Sequence, residues 1–413
     1  MLLVTQLSPP SQLVASRRVA GLVKHLARLG HPVTVLTSLA SGHGPIEGAA
    51  AVIRTPDLAA TRLNWRREAA PASGPAVPTG AVRGVEAHAV PDVALATWLP
   101  FALPRAIALA RGDRFDCVIT TSPPASTHLV GVALRRLGLP WIADFRDGWT
   151  FDAPRPPWPL AAERRLDAAL ERAVVRRADA VVGVTHPIAD DLRDRLGADA
   201  HLITNGYDPD ERPVVDVRLA DGLLTPGRHS LVHTGRAGVA GRSPAVVFEA
   251  LAHLRATRPE VADRLEVVFA GALSPVERAL LGDPGLDGLV RSVGVLDRPR
   301  ALALQQEADS LMVIAAGASE RSVATGKLFE YLTAGPPILV VGERSEAAKI
   351  VTETGTGVAA AADRPEAIAA ALEGLIAGER PQRRPEAIAR YSWEVLAEQA
   401  SALVEDVCSR AGR

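Results

Sequence analysis

The sequence predicts an α/β protein made of two doubly wound domains, each a parallel β-sheet covered by helices. Short runs rich in Val, Ile and Leu alternate with amphipathic stretches of helical period from end to end, which is typical of parallel α/β domains. The 413 residues exceed what one ordinary core accommodates. A segment rich in Pro and Gly at 208–228 separates the two alternating runs and is interpreted as an interdomain linker.

The first domain is assigned to residues 1–210. Its predicted strands cover residues 2–6, 33–38, 51–55, 117–122, 141–145, 180–185 and 201–205. A first helix is predicted over 14–29, because Val19, Leu22, Val23 and Leu26 share one face and Gly30 ends it. Residues 64–90 are rich in Ala, Pro, Gly and Arg without a sustained period, which indicates a long loop.

The second domain is assigned to residues 211–390. Its predicted strands cover residues 231–234, 265–270, 290–295, 311–315 and 338–341, and two C-terminal helices follow. Open α/β sheets bind ligands at the carboxyl ends of their strands. We therefore expect the function to lie in a cleft where the strand ends of the two domains face each other.

Composition excludes several classes of function. Hydrophobic residues make up 47% and charged residues 23%, as in an ordinary globular protein, and a net charge of -1 argues against nucleic-acid binding. Residues 1–143 nevertheless carry roughly +7 and the remainder roughly -8. Solvated Arg-rich helix faces explain this imbalance, and the alternative is a surface for anionic lipid or a phosphorylated acceptor.

The hydrophobic runs and the cysteines of the sequence indicate the expected cellular location and redox environment. No apolar run is long enough to cross a bilayer and no secretory signal pattern is present, so we expect a cytoplasmic protein, with peripheral membrane association as the alternative. Cys117 and Cys408 lie far apart in the sequence and form no metal or redox spacing, which fits a reducing compartment. No carboxylate cluster of metal-ligand type is evident, and neither a metal nor a resident cofactor is expected.

The segment 325–341 is the most informative part of the chain. Gly326 opens a predicted helix, Lys327 and Glu330 lie three residues apart on it, and Gly-Pro-Pro at 335–337 stops it before a buried strand. Uncovered N–H groups and the Lys327 charge favour a phosphate, while Glu330 can accept two hydroxyl hydrogen bonds. This combination predicts half of a nucleotide site, and the alternative is a solvated surface pair.

The second half of the chain resembles the donor domain of family 4 glycosyltransferases, which have the GT-B fold. The resemblance rests on the order of five motifs: Thr234-Gly235-Arg236 with Gly241-Arg242, Val293-Gly294-Val295, the block 319–335, the loop 353–357, and Tyr391-Ser392-Trp393-Glu394. It implies two Rossmann-like domains facing a cleft. It also implies that the last helix, about 391–413, crosses back to the first domain.

The resemblance also implies the residues that hold a nucleotide sugar, which is a co-substrate rather than a cofactor. Arg236, Arg242 and Lys327 with the helix end at Gly326 would bind the diphosphate, and Glu330 would bind the ribose hydroxyls. The other donor-binding positions implied are Gly235, Gly294, Ser322, Thr325 and Leu328.

One position departs from the family pattern. Ser322 stands where the Glu-x7-Glu pattern has its first Glu, and Glu320 is displaced by two residues. In the family that residue lies beside the donor sugar. The identity of the sugar and the details of the retaining mechanism therefore stay open, although a subset of similar enzymes carries a Gly-Lys-x-x-Glu-Tyr-Leu block like this one.

The acceptor side is predicted in the first domain, where strand 141–145 ends among Asp144, Arg146 and Asp147. In the family a His-Asp or similar pair occupies this strand end. Arg146 cannot serve as a base, so it is expected to bind a hydroxyl, phosphate or carboxylate. Together with Arg236 and Lys327, Arg146 and Asp147 form the predicted catalytic set. The alternative is a cluster that pairs internally.

Two further residues are assigned to the acceptor side. His128 follows a strand-end loop and could orient an acceptor hydroxyl, or it is simply a polar helix cap. Ser11 closes the turn Ser8-Pro9-Pro10-Ser11, which replaces the Gly-rich loop often found after the first strand and is stiffer.

The resemblance implies a retaining, metal-independent glycosyltransferase that moves a hexose-type sugar to a hydroxyl of a glycan, a lipid-linked molecule or a small molecule. Ala- and Arg-rich usage favours a high-GC bacterial source, where cell-envelope glycans and glycosylated natural products are common acceptors. Two alternatives stay open: a nucleotide-sugar 2-epimerase of the same fold, and a noncatalytic GT-B partner that only binds a nucleotide sugar.

Overall fold

The computed structural model describes residues 1–11, 14–58, 88–113, 115–153, 155–211, 215–238, 243–315 and 320–412. The chain forms two compact units, one made of 1–206 with 393–413 and the other of 207–392. The predicted loop at 64–90 lies outside the described residues except for its last three positions.

The first unit contains a seven-stranded sheet in the order β3-β2-β1-β4-β5-β6-β7. Its strands are β1 (Leu2–Val4), β2 (Val33–Ser38), β3 (Ala49–Thr55), β4 (Val118–Ser122), β5 (Trp141–Phe145), β6 (Ala180–Gly183) and β7 (Ala200–Leu202). All neighbouring pairs are parallel. The direction of winding reverses between β1 and β4, which is where open α/β sheets form their binding crevice.

Helices cover both faces of this sheet. They are α1 (Val14–Arg28), α2 (Ala94–Thr97), α3 (Leu99–Gly112), α4 (His128–Arg136), α5 (Ala161–Val175), α6 (His186–Asp194) and, from the C-terminal end of the chain, α15 (Trp393–Ala411). Alternation along β1 explains the two layers, because Leu2 and Val4 belong to one core cluster and Leu3 to the other. A Cβ at Gly21 of α1 would lie 2.3 Å from the ring of Trp393, the first residue of α15. The absence of a side chain at Gly21 therefore allows α15 to pack closely against α1.

The second unit contains a six-stranded parallel sheet in the order β10-β9-β8-β11-β12-β13. Its strands are β8 (His229–Thr234), β9 (Leu265–Ala270), β10 (Val290–Ser292), β11 (Ser310–Ile314), β12 (Ile338–Val341) and β13 (Gly357–Ala360). Its helices are α7 (Ala245–Thr257), α8 (Pro259–Ala262), α9 (Pro275–Leu280), α10 (Arg298–Glu307), α11 (Gly326–Ala334), α12 (Glu346–Thr354), α13 (Pro365–Ile376) and α14 (Pro385–Ala389). Winding reverses between β8 and β11. The predicted fold class is therefore confirmed.

Two features of this unit differ from the sequence-based expectation. Segment 208–228 is not a free linker but belongs to the second unit, where Leu223 is 8% exposed in the core and the segment forms the 3₁₀ turns Pro209–Glu211 and Val217–Ala220. Strand β13 has no counterpart among the predicted strands, because its small residues carry little β-propensity. Pairing with the apolar β12 forms this strand.

Candidate functional site

A tight turn after β8 forms the centre of the candidate site, at the switch point of the second sheet. Gly235 has φ +80°, a conformation that favours glycine, and its N–H donates to the carbonyl of Ala270 at 2.7 Å. A Cβ at Gly271 would lie 2.0 Å from the carbonyl oxygen of Gly235, so the two backbones are in close contact. The turn leaves Arg236 exposed at the carboxyl edge of the sheet.

Lys327 reaches from the first turn of α11 to this turn. Its Nζ lies 2.7 Å from Nε2 of His233 and 3.1 Å from the carbonyl oxygen of Arg236. The helix N-terminus, the Lys327 ammonium and the Gly235–Arg236 turn are thus brought together. Positive charge and helix amides at one place favour an anion.

His233 holds the Lys327 ammonium in position. Its ring is 1% exposed, packs 5.6 Å from the Phe269 ring centroid, and has Nδ1 3.0 Å from the carbonyl oxygen of Met312. Nε2 lies 3.1 Å from the carbonyl oxygen of Arg236 as well as 2.7 Å from Lys327 Nζ. Since an ammonium only donates, the tautomer with its proton on Nδ1 lets the ring donate to the Met312 carbonyl and accept from Lys327.

Glu330 lies one turn further along α11 and is fixed from two sides. Its Oε1 accepts from Arg298 Nη1 at 3.2 Å and its Oε2 from Gln305 Nε2 at 3.3 Å. Gln305 also donates to Thr234 Oγ1 at 3.1 Å, and Arg298 pairs with Glu211. Each carboxylate oxygen can accept more than one hydrogen bond.

Tyr331 attaches α11 to β8 from inside the core. Its hydroxyl accepts from the Thr234 N–H at 2.8 Å and lies 3.0 Å from Thr234 Oγ1. Burial raises the pKa of Tyr331 to about 12, so the hydroxyl stays protonated at neutral pH. These bonds fix the position of α11, and with it Lys327, relative to the turn after β8.

The remaining predicted donor residues have different environments. Thr325 is the N-cap of α11 with no side-chain capping bond, and its buried Oγ1 has no partner among the described residues. Gly294 follows β10 with φ +75° and open space where a Cβ would be, and Ser322 ends the 3₁₀ turn Glu320–Ser322. Arg242 lies outside the described residues.

Leu328 does not fit its predicted role as a donor contact. Its side chain is fully buried in the core, and its N–H donates to the carbonyl of Thr325 at 2.9 Å. Leu328 lies on the apolar face of α11, which packs against the core and not toward the candidate site. Its contribution is to anchor the helix.

On the acceptor side, Asp144 is engaged within the fold. Arg18 binds both carboxylate oxygens, with Nε–Oδ2 2.9 Å and Nη2–Oδ1 2.6 Å, and Thr121 donates to Oδ2 at 2.6 Å. The side chains of Arg18 and Asp144 are 2% and 3% exposed. This geometry corresponds to the internally paired alternative, so we correct the expectation that Asp144 contacts an acceptor.

Arg146 and Asp147 differ sharply in exposure. Arg146 is 8% exposed and donates through Nε to the carbonyl of Ser122 and through Nη2 to that of Pro123, each at 2.7 Å. Burial lowers the pKa of Arg146 to about 10, with Asp144 and Asp147 opposing the shift, so it remains charged. Asp147 is exposed beside it.

Ser11 and the turn before it are held by polar contacts. The Ser11 N–H donates to the carbonyl of Ser8 at 3.2 Å, and the Ser16 hydroxyl donates to the carbonyl of Ser11. Ser8 N–H donates to Ser41 Oγ at 3.1 Å, and Arg54 donates to the carbonyl of Pro9 at 2.9 Å. These bonds fix the turn that stands in place of a Gly-rich loop.

His128 is buried and cannot orient an acceptor, so this prediction is wrong. Its ring is 0% exposed and lies 4.5 Å from the Phe145 centroid and 6.3 Å from that of Trp149, with Nδ1 2.8 Å from Thr120 Oγ1. Burial lowers the pKa of His128 to about 3, with Asp144 opposing and Arg146 adding to the shift. The ring is a neutral core residue at pH 7.

This burial gives a testable pH dependence. The folded-state pKa of about 3 lies below the ordinary value near 6.5, so the unfolded chain binds the proton first and acid favours unfolding. We expect the free energy of unfolding to fall by up to about 1.4 kcal/mol per pH unit below pH 6.5, and His128→Gln to remove that slope.

The measurement can be confined to the first unit. All six tryptophans lie in residues 1–206 or 393–413, so urea unfolding followed by tryptophan fluorescence at pH 7, 5.5 and 4.5 reports this unit. His43→Gln, at an exposed position, is the matched control and should keep the wild-type slope. An equal slope in His128→Gln would contradict the assignment.

Neither a metal-binding cluster nor a membrane-spanning helix occurs in the part of the chain that the structure describes. Within the described residues, no group of three or more His, Cys, Asp or Glu side chains could hold a metal ion. None of the helices that the structure describes is long and apolar enough to cross a membrane.

Sequence reasoning missed three residues that build the candidate site, His233, Gln305 and Arg298, and it gave Thr234 no role beyond its place in the Thr-Gly-Arg motif. One signal was available, since His233 is a polar residue in a buried strand immediately before the Thr-Gly-Arg turn. Gln305 and Arg298 lie on α10 and reach Glu330 across 25 and 32 residues of sequence. No local pattern indicates such contacts.

Comparisons with known proteins agree with this architecture. Residues 15–206 match the family model described as "Glycosyl transferase 4-like domain". No curated protein matches the chain in sequence.

Solved structures match over nearly the whole chain. Sucrose-phosphate synthase from Thermosynechococcus elongatus has a TM-score of 0.69 at 19% identity over 99% of each chain. An α,α-trehalose-phosphate synthase (UDP-forming) from Burkholderia vietnamiensis has a TM-score of 0.67 at 12% identity over 99% of each chain. Anabaena Alr3699/HepE in complex with UDP-glucose has a TM-score of 0.60 at 13% identity, over 98% of this chain and 99% of that chain. The chain therefore has the GT-B fold of these structures, and its residues 15–206 match the glycosyl transferase 4-like domain.

Proposed function

We propose that this protein transfers a sugar from a nucleoside-diphosphate sugar to an acceptor hydroxyl, and that its second unit binds the donor. The observation that carries the proposal is the Lys327 ammonium, held 2.7 Å from His233 Nε2 at the turn after β8 and at the N-terminus of α11. A diphosphate fits this positive site. Glu330, one turn along α11, fits the ribose hydroxyls.

The donor class is supported by the names of similar structures. One is a UDP-forming synthase and another contains UDP-glucose. UDP-glucose is therefore the first donor to test. The acceptor class stays broader: a hydroxyl of a glycan, a lipid-linked molecule or a small molecule, in cell-envelope or natural-product glycosylation.

The proposed mechanism stabilises the leaving diphosphate. As the bond between the sugar and the diphosphate breaks, negative charge grows on the diphosphate, so Lys327, Arg236 and the α11 amides bind the transition state more strongly than the ground state. These cations supply the charge that a bound Mg²⁺ would supply. We propose attack by the acceptor on the face the diphosphate leaves, with a diphosphate oxygen taking the acceptor proton and configuration retained.

The acceptor is assigned to the first unit. Asp147 is the exposed charged residue after β5, and the Arg146 guanidinium behind it is fixed by two carbonyls. An exposed carboxylate can accept a hydrogen bond from an acceptor hydroxyl. Asp144 and His128 take no part in this assignment because they are buried.

The test is a thermal-shift screen of nucleotide sugars followed by product analysis by mass spectrometry. A donor present at 100 times its dissociation constant should stabilise the protein by about 2.7 kcal/mol, and a glycosylated acceptor should appear. An epimerised nucleotide sugar formed without acceptor would identify a 2-epimerase instead. Binding without turnover on any acceptor would identify a noncatalytic partner.

The role of His233 provides a separate prediction. His233→Phe keeps a ring beside Phe269 but removes the acceptor that orients Lys327. We expect the dissociation constant of the donor to rise about three- to tenfold, the effect of losing one ordinary hydrogen bond. Isothermal titration measures it, with His253→Phe, at an exposed position on α7, as the control. Unchanged affinity in His233→Phe would show that Lys327 needs no such support.

A further inference from the structure

The only two cysteines of the chain are brought together in the first unit, although 290 residues separate them in sequence. Cys117 is fully buried immediately before β4, and Cys408 is partly exposed near the end of α15. Cys408 Sγ lies 3.4 Å from the carbonyl oxygen of Asp116, the residue next to Cys117. Cys408 also packs against the core cluster that contains Cys117. The wide spacing of these cysteines in the sequence therefore does not reflect their positions in the fold.

We propose that Cys117 and Cys408 are an oxidation site, at which a hydroperoxide converts the two thiols into a reversible disulfide. The bond would join the end of α15 to the residue before β4. Proximity is the basis of this inference, because Cys408 contacts the residue next to Cys117 and packs against the same core cluster, and of the two thiols only Cys408 is accessible to a reagent.

The two thiols have unequal reactivity. The interaction with Cys117 lowers the pKa of Cys408 to about 7, and the same interaction, together with burial, raises the pKa of Cys117. Cys408 is therefore the more acidic and the more accessible of the two thiols, and thiolates are the reactive form.

The reaction proceeds in two balanced steps. The Cys408 thiolate attacks the hydroperoxide, an S–O bond forms as the O–O bond breaks, and the departing alkoxide or hydroxide takes a proton from water, which leaves a sulfenic acid. The Cys117 sulfur then attacks the sulfenic sulfur, the S–S bond forms, and the S–O bond breaks with loss of water that carries the Cys117 proton. Two electrons pass from the two sulfurs to the peroxide. A thiol reductant reverses the reaction by exchange.

The disulfide would enclose a large part of the chain. Residues 117 and 408 flank the whole second unit, 207–392, so the closed loop holds about 290 residues, and long loops give the largest predicted restriction of the unfolded chain. We expect the oxidised protein to unfold in its first unit at a temperature about 5 °C or more above that of the reduced protein.

The experiment treats the full-length protein with hydrogen peroxide and then alkylates it under denaturing conditions. The expected result is a monomer that takes up no alkylating reagent until dithiothreitol is added, a peptide that links residues 117 and 408 in a non-reducing digest, and the raised transition in tryptophan fluorescence. Cys408→Ser should lose all three results. The matched control is the double variant Cys408→Ser/Ser409→Cys, which moves the thiol to the adjacent exposed position and should form no intramolecular link.

Three outcomes would overturn the proposal. Two free thiols after peroxide treatment would show that the pair does not oxidise. Sulfinic acid at Cys408 without a linked peptide would show that Cys117 cannot reach it. Cross-linking between chains only, or an equal link in the double variant, would show that the native proximity of Cys117 and Cys408 does not direct the reaction.

Discussion

Replacing Lys327 with Met weakens donor binding by about tenfold to 150-fold, the expected result of losing a charged contact worth about 1.5 to 3 kcal/mol. Lys327 is the charged group that the structure places at both the α11 N-terminus and the turn after β8. The aliphatic stem of Met preserves the packing while the charge is removed. Because the diphosphate gains charge on leaving, kcat should fall together with affinity.

Titration of the variant with UDP-glucose, or with the donor that the thermal-shift screen identifies, measures this effect. Lys349→Met is the matched control, since Lys349 lies on the next helix, is 43% exposed and has only a 4.0 Å ion pair with Glu353. Its affinity should equal that of the wild type. Wild-type affinity in Lys327→Met would remove the basis for placing the diphosphate at α11.

Glu330 supplies the complementary variant. Glu330→Gln keeps the shape of the side chain but removes its charge, which would weaken the proposed charge-assisted bonds to the ribose hydroxyls. It also weakens the contact with Arg298 at 3.2 Å. We expect a smaller loss of affinity than in Lys327→Met, about tenfold, measured with the same donor. An unchanged affinity would place the ribose elsewhere.

Local sequence patterns were sufficient to predict most helices and strands and the position of α11. Most of the site residues that these patterns missed make contacts with residues distant in sequence. Gly326, Lys327 and Glu330 lie within five residues, so helix periodicity alone relates them. The partners of these residues are distant: His233 lies 94 residues from Lys327, and Arg298 lies 32 from Glu330. A single sequence contains no signal for such pairs unless one partner is unusual in its place, as His233 is.

The predicted acceptor side shows the same limit of prediction from a single sequence. Charges at the end of β5 suggested a binding edge. Asp144 is nevertheless internal, because β5 is buried along its whole length and Arg18, 126 residues earlier, pairs with this carboxylate. The sequence shows which residues carry charge. Which of those charges are internally paired depends on how α1 packs on the sheet, and only the three-dimensional structure reveals it.

Breaking the Arg18–Asp144 pair is therefore expected to have the largest effect on stability. Arg18→Met leaves a buried carboxylate without its cation, and Asp144→Asn leaves a buried guanidinium whose other bonds, to the carbonyls of Ile203 and Thr204 at 2.9 and 2.7 Å, persist. We expect each single variant to lose about 3 to 5 kcal/mol of unfolding free energy in the first unit. Urea unfolding followed by tryptophan fluorescence measures the loss.

A double-mutant cycle separates the pair from its environment. In Arg18→Met/Asp144→Asn neither charge of the pair remains, so this variant should be more stable than either single variant, and the coupling should exceed about 1 kcal/mol. Asp190→Asn is the control, since Asp190 pairs with Arg193 in the same unit and both side chains are about half exposed. Its loss should stay below about 1 kcal/mol. Additive effects in the cycle would show that Arg18 and Asp144 contribute independently.

The pH dependence of the pair has a definite sign. Burial acts to raise the pKa of Asp144, but the charge of Arg18 and the hydrogen bonds from Arg18 and Thr121 outweigh it and lower that pKa below its ordinary value. The stability gained is therefore complete above the unfolded pKa, near 3.9, and is lost as pH falls through the folded value. Asp144→Asn should lose this acid-dependent step below pH 4 while retaining the His128 slope between pH 6.5 and 4. A variant that lost both steps together would show that the two buried groups titrate as one unit rather than separately.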